Sequence, residues 1–270
     1  MRCQFGSTNF LPTEQVNGVI TAIAIIIIIM NKTNKLTEAE LTRYGRQVSL
    51  KEIGEQGQLK LKSANVLVIG CGGLGCPAIT YLAAAGIGRI TIVDADVVDL
   101  SNLHRQTLYS TDDLGEKKVF LAGKRVHKNN PLVEIECLDT RFSEENAAEL
   151  LKNRDAVLDC TDNFSTRQLL GEKSRKYQIP LVFASVLNYE AQVTVFNFQE
   201  GPAYLDLFPE LPKDGIYKPE DIGLFGVLPG IAGALQTNEL IKIITGCGQV
   251  LSGKLLIFSI QSNRFNVIRF

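Results

Sequence analysis

The sequence predicts an α/β fold: a mostly parallel sheet extended by C-terminal antiparallel strands. Three observations predict it. Short apolar runs rich in Val and Ile alternate with helix-length segments, the rhythm of strand–helix–strand units. The first of these runs ends in a cluster of glycines that opens a helical stretch. After Glu190 the rhythm changes to alternating apolar and polar residues, as in antiparallel strands.

Taken in order, the elements begin at Leu36-Thr37, followed by Glu38 and Glu40. Thr37 is a helix cap, and Glu40 three residues later completes a capping box. This helix carries Arg43, Tyr44, Arg46 and Gln47. Asn65 to Ile69 (NVLVI) has the unbroken apolarity of a buried parallel strand. Residues 77–85 are small and apolar, suited to a helix pressed closely on that strand. Arg89 to Val93 (RITIV) is the next strand. A helix near 116–127, a strand near 133–137 and a helix near 143–151 follow. A strand at 156–160, a helix at 164–177 and a strand at 181–185 continue the pattern. Residues 192–198 alternate. Residues 200–223 hold Pro202, Pro209, Pro212 and Pro219 and read as a mobile crossover loop. Residues 226–245 are helical, and 254–260 and 265–270 are two closing strands.

Composition bounds the function. The 270 residues carry 28 basic and 29 acidic side chains, giving no global attraction for nucleic acid or an anionic membrane. Six cysteines is ordinary usage, consistent with reduced thiols and a cytoplasmic location rather than a disulfide framework. The outlier is Val19 to Met30, with isoleucine at every position from Ile25 to Ile29. A helical membrane span needs roughly 20 apolar residues, so no stable membrane association is expected. Only Arg2 precedes the run, and Lys32 and Lys35 follow it, the wrong order for a secretion signal. Composition shifts at Met30, which reads as the start of the working protein; the other reading of the run is a weakly membrane-associating or aggregation-prone segment, since uncharged β-branched runs are sticky. Residues 1–35 are therefore assigned to an N-terminal extension and 36–270 to one domain.

The chemistry is concentrated at strand ends. In Gly70-Cys71-Gly72-Gly73-Leu74-Gly75 the missing side chains let backbone N–H groups approach a phosphate, and the helix start adds positive dipole. Mononucleotide and dinucleotide are both compatible with such a turn. The next strand runs into Asp94 and Asp96, and an acid some 20 residues after the glycines suits a ribose hydroxyl. Ser101-Asn102-Leu103-His104-Arg105-Gln106 is dense in donors, with Asn102 and Arg105 able to reach phosphates. Lys117 and Lys118 open a helix, where cations oppose the macrodipole and a bound anion would compensate. Asp159-Cys160-Thr161-Asp162-Asn163 ends another strand. Asp162 there suits magnesium beside phosphates, and also suits the N-cap of the following helix.

Together with Arg43-Tyr44-Gly45-Arg46-Gln47 and Gly226-Val-Leu-Pro-Gly230, these segments resemble the MoeB/ThiF/HesA family, bacterial relatives of ubiquitin-activating enzymes. The resemblance covers residue 36 to the C-terminus. It implies a Rossmann-like ATP-binding fold and an adenylyltransferase. The substrate implied is the C-terminal Gly-Gly carboxylate of a ubiquitin-like sulfur carrier (ThiS- or MoaD-like), adenylated with release of pyrophosphate for thiamin or molybdopterin sulfur transfer. It also implies that Gly70, Gly72, Gly73 and Gly75 receive phosphates and that Asp94, with Asp96 beside it, holds the ribose. Asn102, Arg105 and Lys118 contact phosphates, Asp162 binds Mg2+, and Arg46 reaches into the other subunit of a homodimer. Catalytic roles fall to Arg46, Arg105, Lys118 and Asp162, while His104 and His127 are structural.

The chain departs from the family at two places. Many relatives carry zinc on two Cys-x-x-Cys pairs, yet the place of the first reads Pro202-Ala203-Tyr204-Leu205-Asp206. Cys71, Cys76, Cys137, Cys160 and Cys247 lack tetrahedral-site spacing, so structural zinc is not expected. Relatives that form a thioester or persulfide use a crossover-loop cysteine, and Lys218-Pro-Glu-Asp-Ile-Gly223 has none. Two other functions compete: a scaffold that keeps the fold without the reaction, and a dinucleotide-dependent oxidoreductase. The second leaves the segments at Arg43 and Ser101 unexplained.

Overall fold

The computed structural model describes residues 35–210 and 223–270. The isoleucine run and most of the Pro-rich crossover segment (211–222) lie outside these residues. The chain divides after Arg43 into a short N-terminal unit and a large unit, Tyr44–Phe270. Helix α1 (Glu38–Val48) starts in the first. Its capping box is formed as expected: the Thr37 N–H donates to Glu40 Oε2 (2.7 Å) and the Glu40 N–H to Thr37 Oγ1 (3.2 Å).

The large unit is built on one eight-stranded sheet in the order β3-β2-β1-β4-β5-β6-β7-β8. Strands β1 (Asn65–Ile69), β2 (Arg89–Val93), β3 (Glu134–Leu138), β4 (Ala156–Asp159) and β5 (Leu181–Leu187) run parallel. β6 (Glu190–Phe196), β7 (Lys254–Ser259) and β8 (Arg264–Arg269) add antiparallel pairs. The helices are α2 (Gly54–Ser63), α3 (Gly75–Ala85), α4 (Lys118–Asn129), α5 (Ala147–Leu151), α6 (Phe164–Lys176), α7 (Tyr204–Leu207) and α8 (Val227–Thr245).

The apolar runs read as buried strands are buried on both faces. Val66 and Val68 of β1 join a core with Ile90, Ile92, Ile79, Leu82 and Leu240. Leu67 and Ile69 point the other way, to Val157, Leu170, Leu181 and Phe183. The two-residue period of a strand produces this split, and helices on both faces make each side a core.

Three elements differ from expectation. The helix α2 was hidden by Gly54 and Gly57, both weak helix formers, and its anchor is tertiary: buried Gln58 donates to Ala85 O (3.0 Å). The helix expected over 143–151 forms only at Ala147–Leu151, because Asn146 accepts the Ser143 N–H and donates to Arg141 O in a turn ahead of it. The segment read as loop after Glu200 contains α7, held by the buried Tyr204 ring.

Candidate active site

Strand β1 lies between β2 and β4, so the chain leaves it in both directions along the sheet. Outside the carboxyl ends at such a switch point a crevice opens, the usual ligand position in open α/β sheets. Ladder bonds bring the ends together: the Gly70 N–H donates to Val93 O (2.9 Å) and the Cys160 N–H to Ile69 O (2.9 Å).

The four glycines divide into two pairs. Gly70 has φ +100°, and a Cβ there would lie 2.5 Å from Cys160 O; a Cβ on Gly75 would lie 2.1 Å from Gly70 O. The outer pair closes the turn onto β4 and brings α3 against it. The inner pair has more room: a Cβ on Gly72 would meet only the Gln106 amide nitrogen (3.6 Å), and one on Gly73 would meet Pro229 (3.1 Å) and Arg105 Cγ (3.5 Å). These inner positions are where a phosphate can meet bare backbone.

Asp94 is tied to this turn. Its Oδ2 accepts the Cys71 N–H (2.6 Å) and its Oδ1 the Asp96 N–H (2.8 Å). Burial raises its pKa, and those two backbone bonds act against the rise. Lys118, the first residue of α4 and almost wholly buried, sits 3.4 Å from Asp96 Oδ2. The anion that compensates a cation at this helix start is therefore supplied within the chain. Arg141 Nη2 stands 3.7 Å from the other Asp96 oxygen. Lys117 points elsewhere, donating to Ala95 O (2.8 Å) and pairing with Asp139 (3.0 Å).

Asn102 closes a short 3-10 turn (Leu100–Asn102) capped by Asp99, which accepts the Ser101 N–H at 2.8 Å. Asn102 Nδ2 donates to Ser101 Oγ (3.3 Å), and Arg105 Nη1 donates to Ser101 O (3.1 Å). The His104 ring nitrogen Nε2 touches Arg105 Nη1 at 2.8 Å, whereas His127 is exposed in the last turn of α4.

Asp162 is exposed just beyond β4. The cap of α6 is its neighbour Asn163, whose Oδ1 accepts the Thr166 N–H (2.9 Å), so the N-cap reading of Asp162 is corrected by one residue. Arg46 is exposed on α1. The residues around it are anchors: Tyr44 OH accepts from Asn130 Nδ2 (2.8 Å), and Gln47 Nε2 donates to Gln58 Oε1 (2.6 Å) and Ala85 O (3.2 Å). Arg46 is thus brought to none of the other site residues within one chain's hydrogen bonds.

Three residues at the site carried no role in the sequence reading. Gln106 is buried, its Oε1 lacking a hydrogen-bond partner and its Nε2 lying near Gly72. Asp159 and Arg167 are both buried and both bond Thr161, the residue before Asp162. A buried polar residue inside a donor-rich segment was the available signal for Gln106; Arg167 on a helix otherwise rich in surface charge gave none.

Among the described residues, no group of three or more His, Cys, Asp or Glu is placed to hold a metal ion. No helix among them is long and apolar enough to cross a membrane.

A family model described as "ThiF family" matches residues 44–270. The sulfur carrier protein adenylyltransferase of Thermus thermophilus is 44% identical over 228 residues, covering 82% of this chain and 84% of that protein. The adenylyltransferase and sulfurtransferase MOCS3 of Anopheles gambiae is 46% identical over 240 residues, 88% of this chain. The chain spans only about half (54%) of that MOCS3. Among solved structures, PaaA superposes with a TM-score of 0.75 at 25% identity, covering 96% of this chain and 83% of PaaA. Escherichia coli MccB superposes with a TM-score of 0.75 at 22% identity, over 87% of this chain and 73% of MccB, a likeness of fold alone.

Proposed function

The chain belongs to the ThiF family, and from that premise we propose that it adenylates the C-terminal Gly-Gly carboxylate of a ubiquitin-like sulfur carrier with ATP. The observation that carries this reading is the convergence of Asp94, Arg105 and the end of β4 on one glycine turn. The two relatives above, 44% and 46% identical, bear names that include adenylyltransferase, which supports it.

Each residue has a physical task. The backbone at Gly72 and Gly73, with the start of α3, receives phosphate oxygens. Asp94 and Asp96 face the ribose; Asp94 keeps lone pairs beyond the two it gives to backbone N–H groups. Asn102, Arg105 and Lys118 neutralise the triphosphate, Lys118 exchanging its 3.4 Å contact with Asp96 for a phosphate. The carrier carboxylate is ionised at pH 7, its ordinary pKa lying near about 3.5. It attacks the α-phosphorus; a mixed anhydride bond forms and the bond to the β-phosphate oxygen breaks, pyrophosphate leaving with the electron pair. No proton is transferred, so no general base is assigned. The cations stabilise charge as it moves to the leaving group.

The exposed carboxylate of Asp162 is a hard oxygen donor of the kind magnesium takes. Asp162 would supply the protein carboxylate for a magnesium ion, a hard cation that needs only one or two such side chains beside substrate phosphates. When bound, the ion would supply Lewis-acid charge neutralisation beside the nucleotide. Arg46, exposed on an anchored helix, acts on the site of a second copy in a homodimer. We assign this chemistry to residues 36–270 and to the cytoplasm, with no structural zinc, nucleic acid or membrane involved.

The test is intact-mass spectrometry of a candidate carrier incubated with the protein and Mg·ATP. An AMP adduct on the carrier, absent when its terminal Gly-Gly is deleted, supports the reading. ATP binding with no adduct on any Gly-Gly carrier favours a scaffold instead.

A further inference from the structure

We propose that Asp159 and Arg167 are positioning residues that clamp Thr161 from both sides and thereby aim the Asp162 carboxylate; the inference rests on the assignment of Asp162 to nucleotide-bound metal. Asp159 ends β4 and is fully buried. Its Oδ1 accepts both the Thr161 N–H (3.0 Å) and the Thr161 hydroxyl (2.6 Å). From the opposite side Arg167, in the first turns of α6, donates from Nη2 to the Thr161 carbonyl (2.6 Å) and reaches Ala184 O at 3.5 Å. Its guanidinium lies over the Phe183 ring, 5.5 Å from the centroid. Every polar group of Thr161 is thereby tied to a buried charge. Asp162 is the next residue, and Asn163 after it is fixed as the cap of α6.

A third tie reaches the same turn from α8. The buried Gln236 donates from Nε2 to Asp159 O (2.7 Å) and Val182 O (3.1 Å). The peptide segment that carries Asp162 is consequently held by β4, β5, α6 and α8.

The pair is a poor stabilising device taken alone. Arg167 Nε and Asp159 Oδ2 are 3.8 Å apart, and each lacks a hydrogen-bond partner. A buried ion pair left with unmet hydrogen bonds contributes little to stability compared with apolar packing. What the pair does accomplish is geometric, since Asp159 Oδ1 and the shortest bond of Arg167 Nη2 both go to Thr161. Groups standing behind a metal ligand typically alter metal affinity about 10–100-fold when removed.

The experiment titrates Mn2+, as the probe for Mg2+, into the full chain with a non-hydrolysable ATP analogue and follows free Mn2+ by electron paramagnetic resonance. Thr161→Val removes the hydroxyl at constant volume, Thr161→Ser restores it, and Arg167→Lys keeps charge but loses the fork. Thr161→Val and Arg167→Lys are expected to weaken Mn2+ binding about 10-fold, while Thr161→Ser stays near wild type and metal-free binding of the analogue is unchanged. Amide hydrogen exchange across 160–163 should rise in the weakened variants. Unchanged Mn2+ affinity in Thr161→Val and Arg167→Lys overturns the clamp. Asp162→Ala separates the two failures. If it abolishes Mn2+ binding while the clamp variants bind normally, only the positioning role falls; if it too binds normally, the metal assignment falls, and the clamp with it.

Discussion

Around the glycine turn the thiols are defined by burial. Cys71, Cys76 and Cys160 are all buried there. Burial pushes Cys76 up to about 11 and Cys71 and Cys160 well above the ordinary range, so each is a neutral thiol at pH 7. Only thiolates alkylate readily. Native iodoacetamide labelling at neutral pH should therefore spare these three and modify the half-buried Cys247, with peptide mass spectrometry as the readout; fast labelling of Cys71 would show that the turn opens. Single residues were also where the sequence was least legible. Asp94 was readable because an acid after the second strand has a use, but its grip on the Cys71 N–H was not. Whether Asp162 or Asn163 caps α6 is a choice between adjacent side chains that depends on one backbone angle, and pattern alone does not settle it.

Elements were legible in proportion to how local their causes are. β1 and β2 match the NVLVI and RITIV runs to the residue, because short runs dominated by Val, Ile and Leu suit a strand buried in a two-faced core. α2 and α7 were missed because tertiary contacts hold them. α7 includes Tyr204-Leu205-Asp206, the stretch where the family resemblance leads one to expect a first cysteine pair. Here Tyr204 packs edge-on to Phe183 (5.7 Å) and Phe196 (5.5 Å), lies 5.0 Å from the Phe208 ring, and leaves a Cβ on Gly171 no space (2.6 Å). An aromatic cluster thus holds this segment against β5 and β6. Tyr204→Ala is expected to cost about 3–5 kcal/mol, as large-to-small changes in a packed core do. In a domain of this size that lowers Tm by roughly 10 °C, measurable by calorimetry. A loss below about 1 kcal/mol would mean the cluster is dispensable.

The whole sheet joins the glycine turn, at the carboxyl ends of the parallel strands, to three antiparallel strands beyond β5. Arg46 is the one predicted catalytic residue whose part requires a second copy. Arg46→Ala should be inactive alone and regain activity when mixed with an Asp162→Ala protein, since a hybrid dimer then holds one site with both groups intact; absence of complementation would place Arg46 outside the partner's site. The central claim is that this surface activates a protein carboxylate through AMP. Isotope exchange between labelled pyrophosphate and ATP tests it most directly, because the label enters ATP only if the adenylate forms reversibly. Exchange that requires both Mg2+ and a carrier ending in Gly-Gly, and disappears in Asp162→Ala, is the predicted result. Tight ATP binding with no exchange for any Gly-Gly carrier would contradict it.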